Sequence, residues 1–273
     1  MILVTGGKGQ LGTELSKLLP DAIFTDVSDL DITDEKAVLD FVKSHNIDTI
    51  VNCAAYTAVD NAEDNIELCE KINVDGPKNL AKSGAKVIHI STDYVFDGTG
   101  HKPYAPDDKT NPISVYGKTK LAGEKAVSEN ADVYAIIRTA WLYSPYGKNF
   151  VKTMRTLGET KESINVVCDQ IGTPTYAGDL AEAIVKIIPQ LNKENSGVYH
   201  FTNEGVCSWY DFSTEIMEQS GLKCKVNPVP SSAYPTKATR PFYSVLDKSK
   251  IKEIFGIEIT HWKKGLEKCL KQF

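Results

Sequence analysis

The chain has 273 residues, 41% apolar and 25% charged, with 31 basic against 36 acidic side chains and a formal charge of -5. That is enough to bury a substantial core, in a composition ordinary for a folded protein. No Lys/Arg block offers affinity for a phosphate backbone, so nucleic acid is not an expected partner, and no apolar run is long enough for a membrane span.

Residues 1–6 contain no basic leader and no cleavage site, so the expectation is a cytoplasmic protein, neither secreted nor membrane-bound. The six cysteines (Cys53, Cys69, Cys168, Cys207, Cys224, Cys269) form no C-x-x-C pair and stand at no zinc-ligand spacing. They read as reduced, packed thiols, and the expected metal content is none.

Apolar runs predict strands at 1–5, 22–26, 48–53, 86–91 and 132–138. Longer amphipathic stretches between them predict helices at 10–19, 34–45, 63–83 and 113–129. Thr33 is the expected cap of the second helix, with acids following it, and Ser114 the cap of the fourth. Such βαβ alternation predicts an α/β fold, a Rossmann-type doubly wound parallel sheet. Beyond about residue 140 the pattern loosens. An apolar run at 164–167 and then Gly172-Thr173-Pro174, a helix at 179–189, a strand at 198–201, a helix at 208–219, a loop at 228–241 and a last helix near 260–271 follow. The resulting division is a dinucleotide-binding domain at 1–150 and a smaller C-terminal α/β substrate lobe at 151–273, one strand or helix of which can return to the sheet.

Gly6, Gly9 and Gly12 stand at G-x-x-G-x-x-G spacing between the first strand and first helix. Glycines there allow a tight turn and close approach to a pyrophosphate, whose charge the helix N-terminus meets. A nucleoside triphosphate loop would need Ser or Thr after Lys8, and Gly9 stands there. Asp26 ends the second strand 20 residues after Gly6, where a carboxylate binds ribose hydroxyls and repels a 2′-phosphate. The expected cofactor is therefore NADH in preference to NADPH. Asp31 and Ile32 are placed to hold an adenine, and Ala54, Ala55, Tyr56 and Thr57 lie where a cofactor passes the third strand.

Tyr116 and Lys120 form a Y-x-x-x-K pair, which this composition yields about once by chance. Its place counts for more than its occurrence: a predicted helix puts both side chains on one face, after a strand ending in Ser91-Thr92. A carbonyl that accepts hydride needs a proton in the same step. Tyr116 can give it, an adjacent Lys120 ammonium would lower the phenol, and the Thr92 hydroxyl can hold the carbonyl oxygen.

With these residues in place the chain resembles the extended short-chain dehydrogenase/reductases. Asn52-Cys-Ala-Ala-Tyr-Thr-Ala-Val-Asp60, Ser91-Thr-Asp-Tyr-Val-Phe96, Tyr116-Gly-Lys-Thr-Lys-Leu-Ala-Gly-Glu124, Arg138-Thr-Ala-Trp141 and Arg240-Pro241 narrow the likeness to the dTDP-4-dehydrorhamnose reductase family. The resemblance covers essentially the whole chain. It implies NAD(P)H-dependent reduction of the C4 ketone of dTDP-4-dehydro-L-rhamnose to dTDP-L-rhamnose, in nucleotide-sugar synthesis for cell-surface polysaccharide. It implies Thr92, Tyr116 and Lys120 as catalytic, Thr92, Asp93 and Trp141 on the sugar, and Gln10, Leu11, Asp26, Asp31, Ile32, Ala55, Tyr56 and Thr57 on the cofactor. Arg240, one of three arginines, can meet the pyrophosphate of a nucleotide sugar or a surface carboxylate. Related 4,6-dehydratases carry Thr-Asp-Glu where this chain has Tyr94, so elimination lacks its base. A nucleotide-sugar epimerase with tightly bound NAD and a non-catalytic dinucleotide-binding subunit stay open as alternatives. Some members of the family hold a metal between carboxylates at a dimer contact, and Glu14 and Asp179 lie in the matching neighbourhoods. A homodimer is an open expectation.

Overall fold

The computed structural model describes all 273 residues. β1 (Ile2–Thr5) leads through the glycine loop into α1 (Gln10–Leu18), followed by β2 (Ile23–Thr25), α2 (Glu35–Ser44) and β3 (Thr49–Asn52). Short helices α3 (Val59–Ala62), α4 (Ile66–Glu70) and α5 (Gly76–Ala81) precede β4 (Lys86–Thr92), α6 (Val115–Asn130) and β5 (Tyr134–Thr139). Strands β1 and β3 are buried along most of their length, as suits a parallel sheet covered on both faces.

The first departure from expectation is at α2. Its cap is Asp34, whose carboxylate accepts from Ala37 N at 3.0 Å. Thr33 is unavailable because its hydroxyl donates to Asp31 at 2.7 Å. Ser114 does cap α6, accepting from Gly117 N at 3.1 Å.

The single helix expected at 63–83 is broken, with a π turn at Lys71–Asp75 between α4 and α5. Pro77 explains it: it has no N–H for the carbonyl of Asn73, and its ring would clash with that carbonyl in a regular helix. The widened turn leaves Asn73 buried, donating to Tyr56 O at 3.2 Å and accepting from Tyr56 N at 2.9 Å. The interruption therefore fixes the chain just past β3.

Farther on come β6 (Leu142–Tyr143), α7 (Phe150–Thr160), β7 (Ser163–Val167), β8 (Ile171–Gly172), β9 (Thr175–Tyr176), α8 (Ala177–Ile187) and β10 (Gly197–His200). Last are β11 (Cys207–Ser208), α9 (Trp209–Gln219), β12 (Lys225–Val229), α10 (Ser249–Phe255) and α11 (Trp262–Leu270). The central sheet has the order β10-β5-β4-β3-β1-β2, every neighbouring pair parallel. It is a Rossmann-like doubly wound sheet. β10 lies against β5, and Leu180, Ile184 and Ile187 of α8 share one apolar cluster with Leu11 and Leu15 of α1, so residues 177–200 pack with the sheet.

A second cluster, centred on Tyr143, Met154, Phe212, Ile216, Trp262 and Leu266, holds the smaller body of α7, α9, α11 and the β7–β12 pair. β12 takes up the start of the expected loop at 228–241. Pro228 hides the strand in the sequence, and a two-stranded sheet has only edges, where proline is tolerated.

Candidate active site

The chain leaves β1 for β2 on one side and returns to β3 on the other. The crevice between β1 and β3, at their carboxyl ends, is the switch point where open α/β sheets bind ligands. The glycine loop lies there. Gly6 has φ +69°, and a Cβ on it would stand 2.8 Å from Ala54 N. A Cβ on Gly12 would stand 2.4 Å from Gly6 O. Gly9 caps α1 without a side chain, and the first turn carries no acid, so no side chain claims its N–H groups. The cradle fits a dinucleotide pyrophosphate. Gly12→Ala is expected to cut dinucleotide affinity about tenfold or more, read by fluorescence titration of a variant with unchanged circular dichroism. Unaltered affinity would refute the close-packed loop.

Around this loop the expected cofactor residues take different parts. Asp26 is half-buried and accepts from Lys8 N at 2.8 Å, bracing the loop. Asp31 is held below the usual carboxylate range by its bonds from the Thr33 hydroxyl and N–H. The Ile32 side chain is buried against Gly76. Gln10 Oε1 accepts from Asn149 at 2.9 Å and Ser144 at 3.2 Å, tying α1 to the loop after β6. Leu11 is buried in the core, so only its main chain faces the loop. Ala54, Ala55 and Tyr56 are half-buried past β3, and Thr57 is exposed.

β4 ends on Thr92, and α6 presents Tyr116 and Lys120 one turn apart, all three buried. The Thr92 hydroxyl donates to Asp93 Oδ1 at 2.9 Å and accepts from Tyr94 N at 3.2 Å. The other oxygen of Asp93 is buried with no partner, and burial pushes its carboxyl up to about 6. Such an acceptor suits a ligand hydroxyl.

One electrostatic expectation is not met. Burial raises the Tyr116 phenol above its ordinary value; Thr92 draws it down, and Lys120 has no part in that. The Lys120 amine is instead bonded to Ile90 O at 2.7 Å and stands 3.4 Å from His89 Nε2. Burial lowers it to about 8, against the opposing charge of Glu124. Tyr116 is thus a protonated phenol at neutral pH.

Trp141 takes φ +50°, a conformation that strains a bulky residue. Its ring stacks on Trp209 at 3.5 Å and 10°, joining the end of β5 to α9. Arg240 is paired with Asp60 of α3 at 2.7 Å and lies 3.4 Å from the Tyr94 hydroxyl, so of its two expected uses the structure displays the carboxylate partner. Glu14 bonds Lys17 and Tyr176, while Asp179 bonds Lys268, Asn203 and Thr260. Both carboxylates are taken up by protein partners and do not fit a metal.

Sequence reasoning about roles passed over Glu124, Arg138, His89 and Asn52. Arg138 forks onto Glu124 at 2.9 and 2.7 Å, both buried, with Ser91 donating to the same carboxylate at 2.5 Å. The signal was present: Glu124 follows Lys120 by four and Tyr116 by eight, on the inner face of α6.

The sequence matches, over residues 1–273, the family described as the RmlD substrate binding domain. The spore coat polysaccharide biosynthesis protein SpsK of Bacillus subtilis is 42% identical, covering 99% of this chain and 97% of its own. The crystal structure of a dTDP-4-dehydrorhamnose reductase from Clostridium acetobutylicum superposes with a TM-score of 0.95 at 46% identity, covering 99% of this chain and 98% of that one. The dTDP-4-dehydrorhamnose reductase of Bacillus anthracis, solved in complex with NADP, gives 0.96 at 40% identity, covering 100% and 99%.

Proposed function

The chain belongs to the RmlD substrate binding domain family, and from that premise we propose that it reduces the C4 ketone of dTDP-4-dehydro-L-rhamnose to dTDP-L-rhamnose with a nicotinamide dinucleotide. The observation that carries this reading is the convergence of Thr92, Tyr116 and Lys120 beside the switch-point crevice. In it, Gly6, Gly9, Gly12 and the main chain of Gln10 and Leu11 take the pyrophosphate. Asp26, Asp31 and Ile32 take the adenosine, and Ala54 to Thr57 flank the cofactor beyond β3. The nucleotide sugar lies between the sheet edge and the lobe at 151–273, with Asp93 and Trp141 on the sugar and Arg240 exchanging Asp60 for its diphosphate.

When bound, the cofactor supplies hydride to C4. Tyr116 donates the proton that the C4 oxygen then requires, completing CH–OH, and Thr92 holds that oxygen by its hydroxyl. A phenol raised by burial carries its proton at neutral pH, so the donor that reduction requires is present. After bonding Ile90 O and facing His89 Nε2, Lys120 has one N–H direction left for the nicotinamide ribose. Tyr94, hydrogen-bonded to Arg240, supplies no carboxylate for elimination.

The test is to add dTDP-4-dehydro-L-rhamnose to enzyme and NADH and follow NADH absorbance, with the product identified by mass and NMR. Stoichiometric consumption is expected. Turnover with cofactor that stays bound and is regenerated would indicate epimerisation, and binding without turnover a non-catalytic subunit.

NADH is the preferred reductant in this proposal, because Asp26 stands where a 2′-phosphate would meet a carboxylate. Lys8 offers that phosphate one cation, so NADPH is accepted more weakly. Asp26→Ala is expected to raise kcat/KM for NADPH relative to NADH about tenfold. An unchanged ratio would remove the carboxylate from the account.

A further inference from the structure

A line of buried polar groups runs behind the site from β1 to α6. Thr5 Oγ1 donates to Asn52 Oδ1 at 2.7 Å, and Ala54 N donates to the same oxygen at 3.1 Å. Asn52 Nδ2 stands 3.0 Å from His89 Nδ1, and His89 Nε2 stands 3.4 Å from Lys120 Nζ. Asn52 and His89 are both 0% exposed, so no water competes for these bonds.

Hydrogen-bond valence fixes the protons. The Ala54 N–H can only donate, so the Asn52 oxygen faces it and the Asn52 NH₂ faces His89. That NH₂ can only donate, so His89 Nδ1 accepts. The ring is neutral, since burial and the neighbouring Lys120 both oppose its charge, and its one proton sits on Nε2. Nε2–H then points at Lys120 Nζ. An ammonium there meets it donor against donor. A neutral amine accepts from His89, donates to Ile90 O at 2.7 Å and keeps one N–H free.

We propose that His89, locked as its Nε2–H tautomer by Asn52, is a positioning residue that biases Lys120 toward the neutral amine and aims its remaining N–H into the site. The other groups that act on Lys120 favour the ammonium: Glu124 on α6, Cys69 on α4 and Cys53 after β3. Glu124 is already bound to Arg138, and the two cysteines are thiols raised by burial. With burial lowering it to about 8, Lys120 changes charge within reach of neutral pH, where a surface lysine does not.

The role in catalysis rests on the proposed reduction, but the tautomer can be read without turnover. Protein labelled with ¹⁵N in histidine is examined by long-range ¹H–¹⁵N correlation, with the His89 signals assigned by their loss in His89→Gln. The expected pattern is a neutral Nε2–H ring that does not titrate where an ordinary histidine does, around pH 6.5. An Nδ1–H pattern, or titration in that range, overturns the proposal. In Asn52→Asp the carboxylate accepts from His89, which moves the proton to Nδ1 and turns Nε2 into an acceptor for an ammonium. The limb of the kcat–pH profile that is set by the Lys120 charge, expected near pH 8 in the parent, should move up by about one unit or more. An unmoved limb with an unmoved tautomer overturns the proposal, and the wild-type spectrum decides it if that variant does not fold. Absence of turnover with every keto-sugar nucleotide would overturn the reductase reading alone.

Discussion

Tyr116→Phe should lower turnover by about a hundred- to ten-thousand-fold while leaving dinucleotide affinity within about twofold, because it removes one donor and almost no volume. The phenol is buried beside Thr92 and is held protonated by that burial, so its one chemical task is to give a proton. If the proton came instead from Asp93, whose carboxyl burial pushes up to about 6, Tyr116→Phe would keep most of the activity and Asp93→Asn would lose it. The two variants therefore separate the candidate acids. Stopped-flow NADH oxidation gives the chemical step, and fluorescence titration gives the binding. A Tyr116→Phe enzyme with near-parental turnover would dismiss the phenol from the mechanism.

The sheet was legible because its strands are interior and parallel, and so read as continuous apolar runs between amphipathic helices. The glycine loop was legible for a similar reason: Gly6 and Gly12 occupy positions where any Cβ would meet backbone. What the sequence hid is what depends on side chains far apart in the chain. The break at 71–75 follows from Pro77, which has no N–H for the main-chain carbonyl of Asn73, and a periodicity count passes over it. β12 is short, polar and carries a proline. The placement of Tyr116 and Lys120 on one face was readable from their spacing. The coupling between them was not, because the Lys120 amine is drawn away by Ile90 O and His89, both contributed by β4. The Asp60 partner of Arg240 lies 180 positions away in sequence, beyond any local pattern.

Glu124→Ala is expected to cost about 3–5 kcal/mol of stability, the largest effect of any single change outside the apolar core. The carboxylate accepts two N–H bonds from Arg138 and one from the Ser91 hydroxyl, and both charged side chains are only 5% exposed. Removing it strands a guanidinium left with the Pro106 carbonyl at 3.1 Å, the face of the Phe96 ring and a contact with His200, itself held neutral with its pKa down near 3. A buried pair need not be worth much against an apolar replacement, so the double variant Glu124→Leu/Arg138→Met should recover most of the loss. Urea unfolding of the four corners of that cycle measures the coupling. The pair also clamps α6 onto β4 and β5, so Glu124→Ala should lower kcat as Tyr116 and Lys120 lose their fixed place. The double variant should restore stability more fully than it restores turnover, because the Glu124 charge that acts on Lys120 is still missing. If Glu124→Ala unfolds within about 1 kcal/mol of the parent, the guanidinium has found water or another partner, and the clamp is not what holds the catalytic helix.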